Sequence, residues 1–201
     1  DMADAMKATG KKFDFLLFDA CFMGTAEVCY DLRDVADYQI VSVMEVPAYG
    51  FPYESSLDYL YEGTVDGYKK ICQAYIDFYQ ERYENGNQAW GTIALIDSKE
   101  MEGLADATRA EIVEHKDVLG NDFDESDIQE YGKQGGRGIA YDLGQLMAVL
   151  NNGTMPNAFA DQLNKTVLYK SFLEIANPSS YKVDAANYCG LGVYIPIRYN
   201  D

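Results

Sequence analysis

The stretch from Phe13 to Gly24, FDFLLFDACFMG, constrains this chain more than any other. A short, dense apolar run followed by small residues and a glycine is the pattern of a buried strand ending in a turn. A helix is predicted next: TAEVCYDLRDV sets Val28, Leu32 and Val35 at three- to four-residue spacing, with Thr25 and Glu27 near the start. Cys21 therefore stands where a buried strand gives way to a helix, at the carboxyl edge of a sheet. Helix amides and the helix dipole favour a thiolate at such a place. By position alone, a cysteine here is more often a small buried hydrophobe.

The same alternation continues downstream. Tyr38 to Val43 reads as a second strand, and VPAYGFPYESS, with two prolines and a glycine, as a loop at its carboxyl end, where open α/β sheets line their pockets. Val65 to Tyr83 carries Tyr68, Ile71, Cys72, Tyr75, Phe78 and Tyr79 at helical spacing and stops at Asn85, Gly86 and Asn87. Tyr75, Phe78, Tyr79 and Tyr83 read as helix packing rather than as a binding stripe. WGTIALIDS is the next strand and Lys99 to Val118 the next helix. YDLGQLMAVL is a further helix, MPNAFADQLNKTVLY is mixed, and YCGLGVYIPI is a closing strand. Strands alternating with helices predict an α/β fold, a mostly parallel sheet sandwiched between helices. Residues 120–138, rich in Asp, Glu, Gly and Gln, read as an exposed excursion. The run NDFDESDIQE within them lacks the spacing and central glycine of an EF-hand loop.

Composition narrows the partners. With 201 residues and 48% hydrophobic side chains, the chain can build one sizeable core, as one domain or the larger part of one. Asp and Glu number 33 against 16 Lys and Arg, a formal charge of −17, which repels nucleic-acid phosphates and anionic membranes and admits cationic substrates, cationic partners or calcium. Most of that charge reads as solvated surface. Cys21, Cys29, Cys72 and Cys189 are spaced too widely for a redox CxxC pair or a zinc ribbon and are too few for a disulfide-stapled domain, so free thiols are expected. Cys29 and Cys72 lie on apolar helical faces and Cys189 begins a strand, which predicts burial. No apolar run approaches the roughly 20 residues that span a bilayer, and DMADAMKATGKK lacks the apolar stretch of a signal peptide.

FDFLLFDACFMGTAEVCYDL closely resembles the nucleophile segment of the clostripain family, in which an apolar strand ends in Asp-Ala-Cys, a large apolar residue, Met and Gly. Three further segments agree in order. ADYQIVSVMEVPAYGFPY resembles the family's strand and loop running into a Gly-x-Pro-Tyr turn beside the active site; YDLGQL and CGLGVYIP resemble its later helix and closing strand. The resemblance implies a caspase-like fold, with residues 1–201 as the cysteine-bearing part of a single peptidase domain. It implies hydrolysis of peptide bonds by a Cys-His dyad through an acyl-enzyme. By the motif, Cys21 is the nucleophile and its backbone amide an oxyanion donor. Asp19 matches a position near the pocket for the residue preceding the cut, where a carboxylate pairs with Arg or Lys. Its alternative role is to cap the turn or the following helix. Tyr49 stands where members with basic specificity often carry an acid, so it marks either the same pocket or a changed, shallower one.

The histidine is the departure from the family's pattern. The chain's one histidine, His115, lies on a helix downstream of Cys21, whereas the family carries its catalytic histidine upstream in a His-Gly motif; His115 reads as an ordinary helix residue. Members of the family are cleaved between histidine and cysteine into two chains that stay together. The resemblance thus implies that a light chain or segment amino-terminal to Asp1 supplies the histidine and the first strands. It also implies peptide or protein substrates, no required cofactor, room for calcium, and a secreted or cell-envelope location in a bacterium. A catalytically inactive, caspase-like binding module is the competing reading. A nucleotide-binding α/β domain is weakened because no glycine-rich phosphate loop follows a predicted strand: Gly135, Gly136 and Gly138 follow polar residues.

Overall fold

The computed structural model describes residues 2–87, 89–121, 123–134, 137–173 and 183–196. In chain order the elements are α1 (Met2–Lys7), β1 (Phe13–Leu17), α2 (Ala26–Asp31), β2 (Ala36–Val41), α3 (Tyr53–Leu60), α4 (Val65–Glu84), β3 (Thr92–Asp97) and α5 (Met101–Glu114). There follow α6 (Lys116–Asn121), β4 (Glu130–Gln134), β5 (Arg137–Asp142), α7 (Leu143–Leu150), α8 (Asn157–Thr166), β6 (Val167–Phe172) and β7 (Gly192–Val193). The main sheet has the order β1-β2-β3-β6, and a smaller one the order β4-β5-β7.

Side-chain alternation along β2 and β3 divides the core into two layers. Ile40, Ile93 and Leu95 face α4, where Tyr68, Ile71, Cys72, Tyr75 and Tyr79 cover them. Val41, Ala94 and Ile96 face the other way, onto Cys29, Met101, Leu104, Phe159 and Leu163 from α2, α5 and α8. The sheet is therefore sandwiched between helices, as the alternating pattern predicts.

The sense of the strands corrects the sequence reading. β1 and β2 are parallel, but β2–β3 and β3–β6 are both antiparallel, so the sheet is mixed rather than mostly parallel. The cause is α3. A single crossover helix would carry the chain to the sheet's opposite end. Here α3 leads it away and α4 brings it back, with Tyr68 of α4 against Phe15 and Tyr38 and Tyr79 bonded to the loop beyond β2. β3 then starts where β2 ended, Ala94 opposite Val41, and must run the other way.

Other differences are local. The helix expected from Lys99 to Val118 is broken at His115 into α5 and α6. Among the described residues of the expected closing strand, only Gly192–Val193 is paired in a ladder. Tyr83, expected in the core, is exposed. Residues 120–138 are not simply an exposed excursion: Ile128 and Tyr131 are buried, and β4 and β5 form a hairpin. Two apolar residues three apart among acidic ones anchor that segment to the core. Gly135 and Gly136 lie outside the described residues.

Candidate active site

The segment from Phe18 to Gly24 is laid along the end of β2 and the chain that continues it. Phe18 N donates to Ile40 O at 3.0 Å, Gly24 N to Ser42 O at 2.8 Å and Phe22 N to Met44 O at 3.2 Å. The approach is closest at Gly24, where a Cβ would stand 2.7 Å from Ser42 C and 2.8 Å from Val43 N, so only glycine permits it. Between these anchors Phe22 adopts φ 59°, in the left-handed region. That conformation costs a non-glycine residue about 1–2 kcal/mol. Burial of an aromatic side chain, worth about 1.5–3 kcal/mol when complete, offsets it: the ring packs with Val43, Met44 and Tyr131.

Cys21 is exposed and its sulfur is directed by the loop after β2: Val46 N donates to Sγ at 3.3 Å, and Sγ lies 3.9 Å from Val46 O. The amide that meets the sulfur is thus Val46's, not one from the following helix as the strand-to-helix position predicts, because residues 21–24 form a turn before α2 begins at Ala26. Cys29, Cys72 and Cys189 are buried. Burial, with the charge of Glu27, pushes the Cys29 thiol up to about 12, and burial likewise raises Cys72 and Cys189. These three remain protonated hydrophobes.

Asp19 does not cap α2. Its Oδ2 reaches the other loop, accepting from Tyr53 Oη at 3.1 Å and from Phe51 N at 3.3 Å. Gly50, at φ +68°, makes room: a Cβ there would fall 2.6 Å from Asp19 Oδ2. Burial first, then the hydrogen bond to Asp19 and its charge, raise the Tyr53 phenol above its ordinary range. Beneath, α4 holds the loop rigid. Tyr79 Oη donates to Gly50 O at 2.7 Å, and Phe51 packs on Tyr75 with ring centroids 4.7 Å apart. Tyr49 is 64% exposed, and the Arg82 guanidinium lies 3.5 Å above its ring, a cation–π contact.

The structure thus gathers Cys21, Asp19 and the 46–53 loop at the carboxyl edge of β1 and β2. It leaves His115 out: that ring caps the end of α5, with Nδ1 3.0 Å from Glu111 O. An apolar cavity of about 490 Å³ between α2 and α5 touches neither Cys21 nor Asp19. Among the described residues no group of three or more His, Cys, Asp or Glu is placed to hold a metal ion, and no helix is long and apolar enough to cross a membrane.

Cys21 is thus exposed on a tight turn against Val46, and Asp19, two residues before it, reaches Phe51 and Tyr53 of the same loop. The clostripain-family model matches residues 1–193. The chain belongs to the clostripain family. No curated protein matches it significantly, but solved structures do. A B. fragilis cysteine protease shares 27% identity and a TM-score of 0.82, over 98% of this chain and 84% of that one. A clostripain from Bacteroides thetaiotaomicron, in complex with the peptide inhibitor BTN-VLTK-AOMK, shares 29% identity and a TM-score of 0.78, over 96% and 82%. An inactive zymogen C11 protease from Parabacteroides distasonis shares 30% identity and a TM-score of 0.78, over 96% of this chain and 56% of that one. These matches carry the caspase-like α/β fold and cysteine-peptidase membership together.

Sequence reasoning finds Cys21, Asp19 and Tyr49 but not Val46, Tyr53, Phe22 or Arg82. Tyr53 was within reach, since Gly50-Phe51-Pro52-Tyr53 is itself the turn motif. Arg82 lies on the far helix, and nothing local signals its partner.

Proposed function

We propose that this chain is the nucleophile-bearing part of a cysteine endopeptidase. The Cys21 thiolate adds to the scissile carbonyl, and the tetrahedral intermediate expels the amine as a histidine donates it a proton. The resulting thioester is hydrolysed by water, which the same histidine deprotonates. Cys21's own N–H is the oxyanion donor in this scheme, because the next amide, Phe22 N, is committed to Met44 O. The observation that carries the reading is an exposed cysteine held by Val46 N on a turn, when the other three cysteines of the chain are buried.

Asp19 is proposed to select Arg or Lys before the cut. Among the described contacts only its Oδ2 is engaged, leaving Oδ1 to pair with a cation. The peptide of the B. thetaiotaomicron protein's inhibitor, VLTK, ends in lysine, in keeping with this. Tyr49, with Arg82 on one face of its ring, is the outer wall of that pocket. The histidine is assigned to a light chain or segment preceding Asp1, docking along the open edge of β1. Export is proposed too, since one similar structure is a secreted C11 cysteine protease from Bacteroides thetaiotaomicron. The scheme needs no cofactor: EDTA leaves cleavage unchanged, whereas loss restored by calcium would add a calcium requirement.

The test is hydrolysis of fluorogenic peptides ending in Arg or Lys against Asp or Leu, by the full-length protein and its Cys21→Ala variant. Cleavage of the basic peptides alone, absent from the variant, is expected. Cleavage of the others would retain the mechanism and reassign the pocket. No Cys21-dependent cleavage of any peptide would favour a caspase-like binding module.

A further inference from the structure

Phe22 follows the nucleophile directly and keeps a backbone, φ 59°, that its side chain disfavours. Something outside the turn must hold it there. Its ring reaches the β4–β5 hairpin at Gly132, itself at φ +81°, where a Cβ would fall 2.5 Å from Phe22 Cζ and 2.6 Å from Cε1. Gly132 is thus a seat that any side chain would fill. The hairpin is firmly placed: neighbouring Tyr131 is buried and donates through its hydroxyl to buried Asp142 at 2.7 Å. Asp142 in turn accepts from Cys189 N at 2.8 Å, and three residues later Gly192 N donates to Gly24 O at 2.9 Å. The smaller sheet therefore grips both ends of the turn, Phe22 through Gly132 and Gly24 through Gly192.

We propose that the Phe22–Gly132 contact positions the nucleophile: by seating the ring, the β4–β5 hairpin holds the left-handed turn that aims Cys21 Sγ at the Val46 amide and the substrate carbonyl. Cys21 and Phe22 share one peptide plane, so relaxing φ at Phe22 swings the Cys21 carbonyl and redirects its Cα–Cβ bond. The hairpin is a local unit, paired Glu130 with Tyr141 and Tyr131 with Ala140, and whatever shifts it shifts the sulfur. The inference rests on Cys21 being the nucleophile.

The experiment measures alkylation of Cys21 by iodoacetamide in the full-length protein, beside kcat and KM. Because Cys29, Cys72 and Cys189 are buried, Cys21 is the cysteine of this chain open to reagent, and its alkylation in the native protein is read on its own peptide by mass spectrometry. Gly132→Ala puts a methyl group in the ring's seat. Alkylation and kcat are expected to fall together by about tenfold to a hundredfold, with KM nearly unchanged. An alanine at this φ strains the hairpin as well, so the double variant Gly132→Ala/Phe22→Leu decides. The smaller side chain vacates the seat, and alkylation and turnover recover above Gly132→Ala, although Phe22→Leu alone lowers both. The proposal is overturned if Gly132→Ala matches the unaltered protein, or if the double variant is no better than Gly132→Ala. A protein whose Cys21 alkylates but that cleaves no peptide overturns the endopeptidase reading alone, since the alkylation comparison still decides the contact.

Discussion

Gly50 and Asp19 are fitted to each other: the glycine has no side chain because the carboxylate oxygen occupies that place, 2.6 Å from a built Cβ. Gly50→Ala must push Asp19 away from Phe51 N and Tyr53 Oη. Cleavage after Arg or Lys is expected to lose roughly tenfold or more in kcat/KM, while Cys21 alkylation, set on the other side of the loop, stays near the unaltered rate. Parallel loss of both would make Gly50 a folding residue. Asp142 is a different case, a fully buried carboxylate accepting from Tyr131 Oη, Cys189 N and Gln145 N at 2.7–2.8 Å. Burial outweighs these bonds and raises its pKa above 3.8. Between the unfolded and the folded pKa the native state then holds the extra proton. Its contribution to stability is fully present below 3.8 and is lost as pH rises through the folded pKa. Urea unfolding of the protein against Asp142→Asn, from about pH 3 to 7, should show the stability difference fall with rising pH and then level off. A difference that grows with pH would mean that the hydrogen bonds win.

Among the elements, α4 is the one most plainly written in the sequence. The spacing of Tyr68, Ile71, Cys72, Tyr75 and Tyr79 predicts a helix from Val65 to Tyr83, and the structure has one from Val65 to Glu84. Its first turn is fixed by Thr64, whose side chain accepts from Gly67 N at 3.1 Å. Thr64→Ala should cost about 1 kcal/mol in denaturant unfolding without changing KM, since Tyr79 and Arg82, which touch the loop, lie at the helix's other end. Where reading failed, the cause was distant. α1, MADAMK, is six residues long, too short for a periodicity to stand out, and buries Ala3 with Met6 packed beside it against Leu32 and Val35. The strand directions follow from α3 and α4 pairing as a helical hairpin, which periodicity within each segment does not encode. In the site, the placing of Cys21 and Asp19 just beyond β1 was legible because strand and turn are contiguous. The left-handed Phe22 was not, because its cause, the bare Cα of Gly132, belongs to a hairpin much later in the chain.

At the scale of the whole molecule, the position of β1 is the feature that bears on catalysis. Among the described residues it ends the main sheet's order and pairs with β2 alone, although it leads directly to the turn that carries Cys21. Phe13 is 37% exposed, and an uncovered edge is a template for another strand. Tyr53 and Leu57 on α3 and Tyr61 at its C-cap are exposed at four-residue intervals, an apolar stripe along one helix face. Both features fit a further segment carrying the histidine. Phe13 N bonds to Val35 O and Phe18 N to Ile40 O, so the amides next to them along the strand, Asp14 and Leu17, turn away from β2. Hydrogen exchange on the full-length protein compares the two sets directly. If a strand is added to β1, the amides of Asp14 and Leu17 are protected to the same degree as those of Phe13 and Phe18, which serve as internal controls. If Asp14 and Leu17 exchange freely while Phe13 and Phe18 do not, the edge is open in the whole protein, and a histidine must reach Cys21 from a loop rather than from a neighbouring strand.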